Sequence, residues 1–178
     1  DDHERHLLAA HEIYESAYRD SVARDAVSEA YYTGINAATM ALLRQHVRRA
    51  RKIAAEVEQL CRRALAENPG GTAEEYWPRA TLAEAALILG KLDVAQKRYR
   101  EAAELAGTRY GDLSSTRHQA HILLDHLEVD PSWLDNAIRI PPVLVFTGHM
   151  IDAPDRDEPR FPPQMADEVR DRIRSVIK

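Results

Sequence analysis

The distribution of proline along the chain is the sequence feature that most restricts its fold. Three prolines fall in the first 140 residues, at positions 69, 78 and 131, whereas six fall between residues 141 and 163. Proline removes a backbone donor and breaks the interior of a helix, so residues 1–140 can be almost entirely helical and the following stretch cannot. The sequence therefore predicts two domains, the first spanning residues 1–140 and the second residues 141–178.

Apolar residues in the first domain recur at spacings of three and four, which is the period of an amphipathic helix. Residues 76–106 also fit a tetratricopeptide repeat, in which small residues lie where two helices touch and an aromatic residue fills the gap between repeats. Spacings of 7, 5, 4 and 3 separate the residues that carry this pattern: Ala83, Gly90, Ala95, Tyr99 and Ala102. A weaker copy at residues 32–65 has Gln45 at the position of the turn glycine. The predicted fold class is mainly α, a tetratricopeptide-like solenoid of helical hairpins.

The second domain has a different character. The apolar run at residues 142–146 is rich in β-formers, ends at Thr147 and Gly148, and predicts a buried strand. A proline-punctuated loop follows, and then four apolar residues at spacings of 4, 4 and 3, from Met165 to Val176, predict an amphipathic helix. We therefore expect residues 141–178 to be a strand–loop–helix segment, the truncated start of an α/β domain.

Composition and motifs exclude several classes of function. A net charge of −5 argues against a nucleic-acid binder, and the longest apolar run is shorter than the ~20 residues that span a bilayer. The single cysteine excludes an internal disulfide and a zinc site built on paired cysteines, and fits a reducing cytoplasmic compartment. His118, His121 and Asp125 share a helical face, but nothing supplies the rest of a metal site. We predict a non-enzymatic cytoplasmic protein without a cofactor or metal and without nucleic-acid or membrane partners.

Two strings of residues resemble a known family. Residues 31–39, Tyr-Tyr-Thr-Gly-Ile-Asn-Ala-Ala-Thr, and residues 76–85, Tyr-Trp-Pro-Arg-Ala-Thr-Leu-Ala-Glu-Ala, are similar to the two hallmark helices of the TRAF-binding domain. That domain is named for the central regulatory region of the apoptosis signal-regulating kinases, which are MAP kinase kinase kinases, and it also occurs in bacterial proteins. The resemblance spans residues 5–138 and implies a tetratricopeptide-like regulatory domain of bacterial type, in which TRAF binding itself is not expected.

The same resemblance implies two further features of the chain. Between residues 20 and 29 the chain departs from the family, because a stretch rich in Asp, Ser and Ala lengthens the first connection. In bacterial members a segment similar to residues 145–152 leads into a Rossmann-like domain of nucleotide-sensing type. The chain ends before the glycine-rich elements that such a domain would carry.

Candidate partner-binding residues follow from the repeat register, because such repeats bind partners on the concave surface formed by the first helix of each pair. Those on or near this surface are Tyr32, Asn36, Thr39, Trp77, Arg79, Ala80 and Glu84. Alternatively, the two aromatic residues pack in the core, as helical aromatics usually do, and Asn36 clasps two helices.

A second candidate surface is basic. Residues 44–63 contain seven Arg or Lys and two Glu, and Arg44, Arg48 and Arg51 share a helical face that could hold an acidic peptide or a phosphate. The alternative is a solvated face whose charge is balanced by acidic neighbours.

The function predicted first is a protein-interaction scaffold that binds a protein or peptide in a helical-repeat groove. One alternative is a nucleotide sensor whose ligand site lies where the predicted strand ends, since α/β sheets bind ligands there. Its candidate residues are Thr147, Gly148, His149, Asp152 and Arg156. A second alternative is a self-association module, a homo-oligomer in which the exposed ends of the solenoid stack.

Overall fold

Seven helices make up the part of the chain that the computed structural model describes, residues 2–67 and 75–140. They are α1 (Asp2–Ala23), α2 (Val27–Leu43), α3 (Val47–Glu67), α4 (Tyr76–Ile88), α5 (Leu92–Ala106), α6 (Tyr110–His126) and the short α7 (Leu134–Ala137). No strand occurs within these two ranges, so the described fold is mainly α and is built from packed helical hairpins. The predicted strand, loop and helix of residues 141–178 lie outside the described residues.

One type of turn ends four of the helices, α1, α2, α4 and α6. The second residue after the helix takes a positive φ, between 54° and 76°, at Asp25, Gln45, Gly90 and Glu128. The amide of that residue donates to the carbonyl three residues earlier, and the next amide donates to the carbonyl five residues earlier. These two bonds define the Schellman motif, which satisfies carbonyls left free at a helix end. Gln45 therefore does occupy the turn position that Gly90 occupies in the other copy of the pattern.

The first connection is short. Helix α1 extends to Ala23 and α2 begins at Val27, so the polar stretch of residues 20–29 is mostly helical. The expectation of a lengthened connection is wrong. The connection is short because the Schellman turn at Asp25 reverses the chain within three residues, with one residue held at a strained positive φ.

Helix α4 is enclosed by the rest of the bundle. It packs against α2, α3, α5 and α6, and eleven of its thirteen residues are buried. Small side chains permit this, since Ala83, Ala85 and Ala86 are fully buried and let neighbouring backbones approach. Only Trp77 and Arg79 of this helix reach the surface.

A glycine permits α1, α2 and α3 to pack closely together. A Cβ atom on Gly34 of α2 would lie 2.6 Å from Cγ2 of Val57 and 2.8 Å from the ring of Tyr18. The ring of Tyr18 therefore lies against the α2 backbone, and its hydroxyl donates to Oε2 of Glu56 on α3 at 2.9 Å. Helices α1 and α3 are thus tied across α2.

A buried carboxylate ties α3 to the next hairpin. Glu58 accepts hydrogen bonds from Arg98 of α5 (2.7 Å), from Lys91 in the α4–α5 turn (3.3 Å) and from Arg62 of its own helix (3.0 Å). Burial alone would raise the pKa of Glu58, but these three cations outweigh it and lower the pKa to about 2. The carboxylate therefore stays ionised and paired throughout the neutral range.

We expect Gly34→Ala to destabilise the protein by about 1–3 kcal/mol, because the added methyl overpacks a site bounded by a β-branched side chain and a rigid ring. Gly111→Ala is the matched control, since a Cβ on Gly111 of α6 would meet no atom within 4 Å. Alanine should gain helix propensity there and leave stability unchanged or raised by about 0.5–1 kcal/mol. Urea denaturation of both variants measures the difference, and equal behaviour would contradict the packing account.

The two turns of the repeat pattern give a reciprocal pair of substitutions. Gly90→Ala should lower the free energy of unfolding by about 1–2 kcal/mol, because φ is +76° at this position. Gln45→Gly should raise it by about 1 kcal/mol, because the strained φ of +63° is relieved. Thermal unfolding of both variants checks the sign of each change, and two changes of the same sign would show that these turns are not equivalent.

Candidate functional site

The accessible face of α2 carries part of the predicted partner surface. Tyr32 is 58% exposed and Asn36 is half-buried one turn later. Nδ2 of Asn36 donates to the carbonyl oxygen of Tyr32 at 2.8 Å, so the amide bonds within its own helix and does not clasp two helices. Met40, half-buried, continues the stripe by another four residues.

Three of the predicted surface residues are buried instead. Thr39 is fully buried, Ala80 is 3% exposed and Glu84 is 9% exposed. The expectation that they face a partner is therefore wrong in this fold. Thr39 lies in the second half of α2, where most residues are buried against other helices. The other two belong to α4, which is enclosed by four helices.

The start of α4 supplies the second exposed aromatic. Trp77 is 43% exposed, and its ring meets the buried ring of Tyr76 edge-on, with 5.0 Å between the centroids. The hydroxyl of Tyr76 is 2.6 Å from Oγ1 of Thr116 on α6, which holds this end of α4 in place. The half-buried Arg79 donates to Oε2 of Glu75 at 2.7 Å. Neither Tyr32 nor Trp77 is a core residue.

The basic residues of the predicted second surface fall into two situations. Arg48 and Arg51 are exposed on α3, whereas Arg44 is half-buried and directed at α1. There Nη1 of Arg44 donates to Nδ1 of His11 at 2.7 Å, and Nε2 of His11 lies 3.2 Å from Glu15. Burial lowers the pKa of His11 although Glu15 opposes this, so the ring accepts from the guanidinium as a neutral imidazole.

An open, largely apolar groove of about 590 Å³ lies between α1 and α3. The rings and methyl groups of Tyr18, Val22 and Leu60 line it, and Arg19 and Arg49 are at its border. Sequence reasoning missed this groove, because Val22 continues the α1 stripe of Tyr14 and Tyr18 and so resembles a core position. It is nevertheless 48% exposed. The border charges are balanced, since both arginines pair with the single carboxylate of Glu15 and Glu56 adds a second negative charge.

Glu84 is a carboxyl group in the interior of the bundle. Its Oε1 has no hydrogen-bond partner among the described residues, and the buried hydroxyl of Tyr99 on α5 lacks one as well. The buried thiol of Cys61 on α3 is also nearby, and a negative charge on Glu84 would raise the pKa of this thiol. Burial raises the pKa of Glu84 to about 8, so the carboxyl is protonated at neutral pH.

The remaining candidate residues are the metal-ligand set on α6 and the predicted sensor residues. His118, His121 and Asp125 line an open depression of about 600 Å³ on α6. Within residues 2–67 and 75–140 no group of three or more His, Cys, Asp and Glu side chains is arranged to hold a metal ion. In the same ranges no helix has the length and apolar character needed to cross a bilayer. The sensor residues Thr147, Gly148, His149, Asp152 and Arg156 lie outside the part of the chain that the structure describes.

Comparison of the chain with protein-family models, with curated proteins and with solved structures found no match. The resemblance to the TRAF-binding domain therefore stays a prediction.

We expect the contribution of Glu84 to stability to fall with rising pH. Its carboxyl binds a proton up to a pKa of about 8 in the folded chain, compared with an ordinary value of 4.5, so the folded state holds more protons between these values. The contribution of Glu84 to the free energy of unfolding therefore decreases as pH rises through this window, by at most about 5 kcal/mol, since a tenfold difference in proton affinity corresponds to about 1.4 kcal/mol. Urea denaturation over about four pH units, from about pH 5 to about pH 9, measures the slope.

Glu84→Gln should remove this contribution, so that the difference in stability between the variant and the original chain grows with pH. Glu104→Gln on the exposed face of α5 is the control, and its difference should stay constant. A Glu84→Gln difference that is also constant between these pH values would show that the buried carboxyl does not control the slope.

Proposed function

We propose that residues 1–140 form a tetratricopeptide-like interaction module of TRAF-binding type, which binds a protein or peptide partner and performs no catalysis itself. The observation that carries the proposal is the exposure of two large aromatic side chains, Tyr32 and Trp77, on α2 and α4. Each belongs to the first helix of a hairpin, which is where repeats of this kind present their partner surface.

The directions of the helices support a shared surface. Helix α2 is antiparallel to α3 across the Gln45 turn, and Arg51 of α3 approaches Gly90 at the end of α4, so α4 also runs against α3. Helices α2 and α4 therefore run in the same direction and pack against each other. Tyr32 and Trp77 both lie near the starts of these helices and thus at the same end of the bundle.

The chemistry of this end suits a peptide or a protein loop. Aromatic rings provide large contact areas and have few rotatable bonds to immobilise on binding. The helices that carry them are already packed, which keeps the entropic cost of association low. The amide of Asn36 and the hydroxyl of Tyr32, which is hydrogen-bonded to Tyr14 of α1, add polar groups that can orient a backbone.

The tetratricopeptide-like description is supported by the repeated turn. The positive φ at Gln45 and at Gly90, each seven residues after a buried alanine (Ala38 and Ala83), gives two hairpins the same local construction. The resemblance of residues 31–39 and 76–85 to the TRAF-binding domain covers the two helices that carry the exposed aromatics.

Selection of a random peptide-display library on residues 1–178 tests the proposal. We expect enriched peptides whose affinity, measured by fluorescence anisotropy, falls at least about tenfold when Tyr32 and Trp77 are both changed to alanine, because loss of an interface aromatic costs more than about 1.4 kcal/mol.

The control is Val94→Ala, an exposed apolar side chain on α5 (39% exposed), which should leave the affinity within about twofold. Circular dichroism of each variant checks that the fold is retained. Enriched peptides that bind the double alanine variant as tightly as the original chain would assign partner binding to another surface and contradict the proposal.

A further inference from the structure

Several cations near the start of α3 lie close together and lack carboxylate partners. Farther along the helix, Arg62 and Arg63 pair with carboxylates, and Arg49 pairs with Glu15. By contrast, three exposed cations have no carboxylate within 4 Å among the described residues: Arg48, Arg51 and Lys52. We name these three residues the α3 basic patch.

The members of the patch share one side of the helix. At about 100° per residue, positions 48, 51 and 52 fall within an arc of about 100°. Arg51 extends toward the α4–α5 turn, where its Nη2 lies 3.9 Å from the Cβ position of Gly90. The half-buried Arg44 adjoins the start of α3 and adds a further positive charge. The patch therefore borders two successive hairpin turns.

This arrangement is electrostatically unfavourable in the free chain. The first turn of α3 contains no acidic residue, although the amino-terminal end of a helix carries partial positive charge that carboxylates would stabilise. Arg48 also stands three residues from Arg51 and four from Lys52, spacings at which like charges repel each other along a helix. A negatively charged ligand would relieve both effects.

We propose that the α3 basic patch is the docking site for an acidic segment of a partner protein. The patch is separate from the aromatic residues of α2 and α4, and it shares with the proposed function only the premise that the partner is a protein. Its charge complements carboxylates, and the exposed Val47 beside it (37% exposed) offers apolar contact to the same segment.

A protein segment is favoured over a nucleic acid by the charge of the whole chain. A net charge of −5 repels a long polyanion, and affinity for nucleic acid rises with the number of phosphates that a surface neutralises. Three free cations and Arg44 match a few carboxylates, which a short acidic segment provides. Guanidinium groups also bind carboxylates through paired hydrogen bonds.

Nuclear magnetic resonance titration of isotope-labelled residues 1–178 tests this inference. The probes are a glutamate-rich peptide of about 12 residues, the same peptide with Gln in place of Glu, and an oligothymidylate of about 12 nucleotides, all at an ionic strength near 0.1 M, where the Debye length is about 10 Å. We expect the Glu peptide to shift the amide signals of residues 47–52, and the Gln peptide to leave them unchanged.

Two sets of substitutions separate binding from structure. Changing Arg48, Arg51 and Lys52 to glutamine should lower the affinity for the Glu peptide at least about tenfold, because the charge-assisted hydrogen bonds are lost. The free variant should unfold at the same temperature as the original chain or at a higher one, because the repulsion between these cations is removed. The control changes three cations elsewhere to glutamine, Lys97, Arg100 and Arg139, which alters net charge equally and should leave affinity within about twofold.

Three results would overturn the inference. The first is equal affinity for the Glu peptide in the patch variant and in the control. The second is binding of the oligothymidylate more tightly than the peptide, which would make the ligand a nucleic acid. The third is the absence of any shift at residues 47–52. Retention of Glu-peptide binding in the Tyr32 and Trp77 double variant would leave this inference standing even if the aromatic surface failed its own test.

Discussion

Close approach of helices to α4 is the physical constraint on which the remaining structure depends. Eleven of the thirteen residues of α4 are buried, and alanine side chains at its contact positions leave room for four neighbouring helices. Gly34 serves the same purpose one hairpin earlier, where even a methyl group would collide with Val57 and Tyr18. Dense packing of small residues fixes the helix positions more tightly than large flexible side chains would, because there is little volume to redistribute. The relative positions of the exposed residues therefore depend on this packing.

The enclosure of α4 also decides where binding can occur. A helix covered on four sides offers no continuous groove, so the accessible groups of α4 are confined to its first turn. Other binding groups have to lie on neighbouring helices, such as the open face of α2 and the outer face of α3. The aromatic residues and the α3 basic patch occupy such places. One surface is rich in contact area and the other in charge, and partners of different chemistry suit each.

Local sequence signals predicted the helices and their turns well. Spacings of three and four residues gave the helical stripes, and the register that aligned Gln45 with Gly90 matched two turns with positive φ. The placement of Thr39 and Glu84 was wrong, because two positions on one side of a helix differ in burial only through neighbours distant in sequence. The groove beside Val22 was missed for the same reason. Periodicity shows that an apolar side chain shares a helical face with other apolar residues, but it does not show whether another helix covers that side chain.

The chain's only thiol belongs to the seam between α3 and α4. Cys61 is fully buried, and burial beside the Glu84 carboxyl raises the pKa of the thiol and keeps it protonated. A neutral thiol without access to solvent does not take part in thiol–disulfide exchange. A disulfide-linked dimer of this chain would therefore be formed by molecules whose α3–α4 seam has opened, and it would record loss of the native packing and not an association of native molecules.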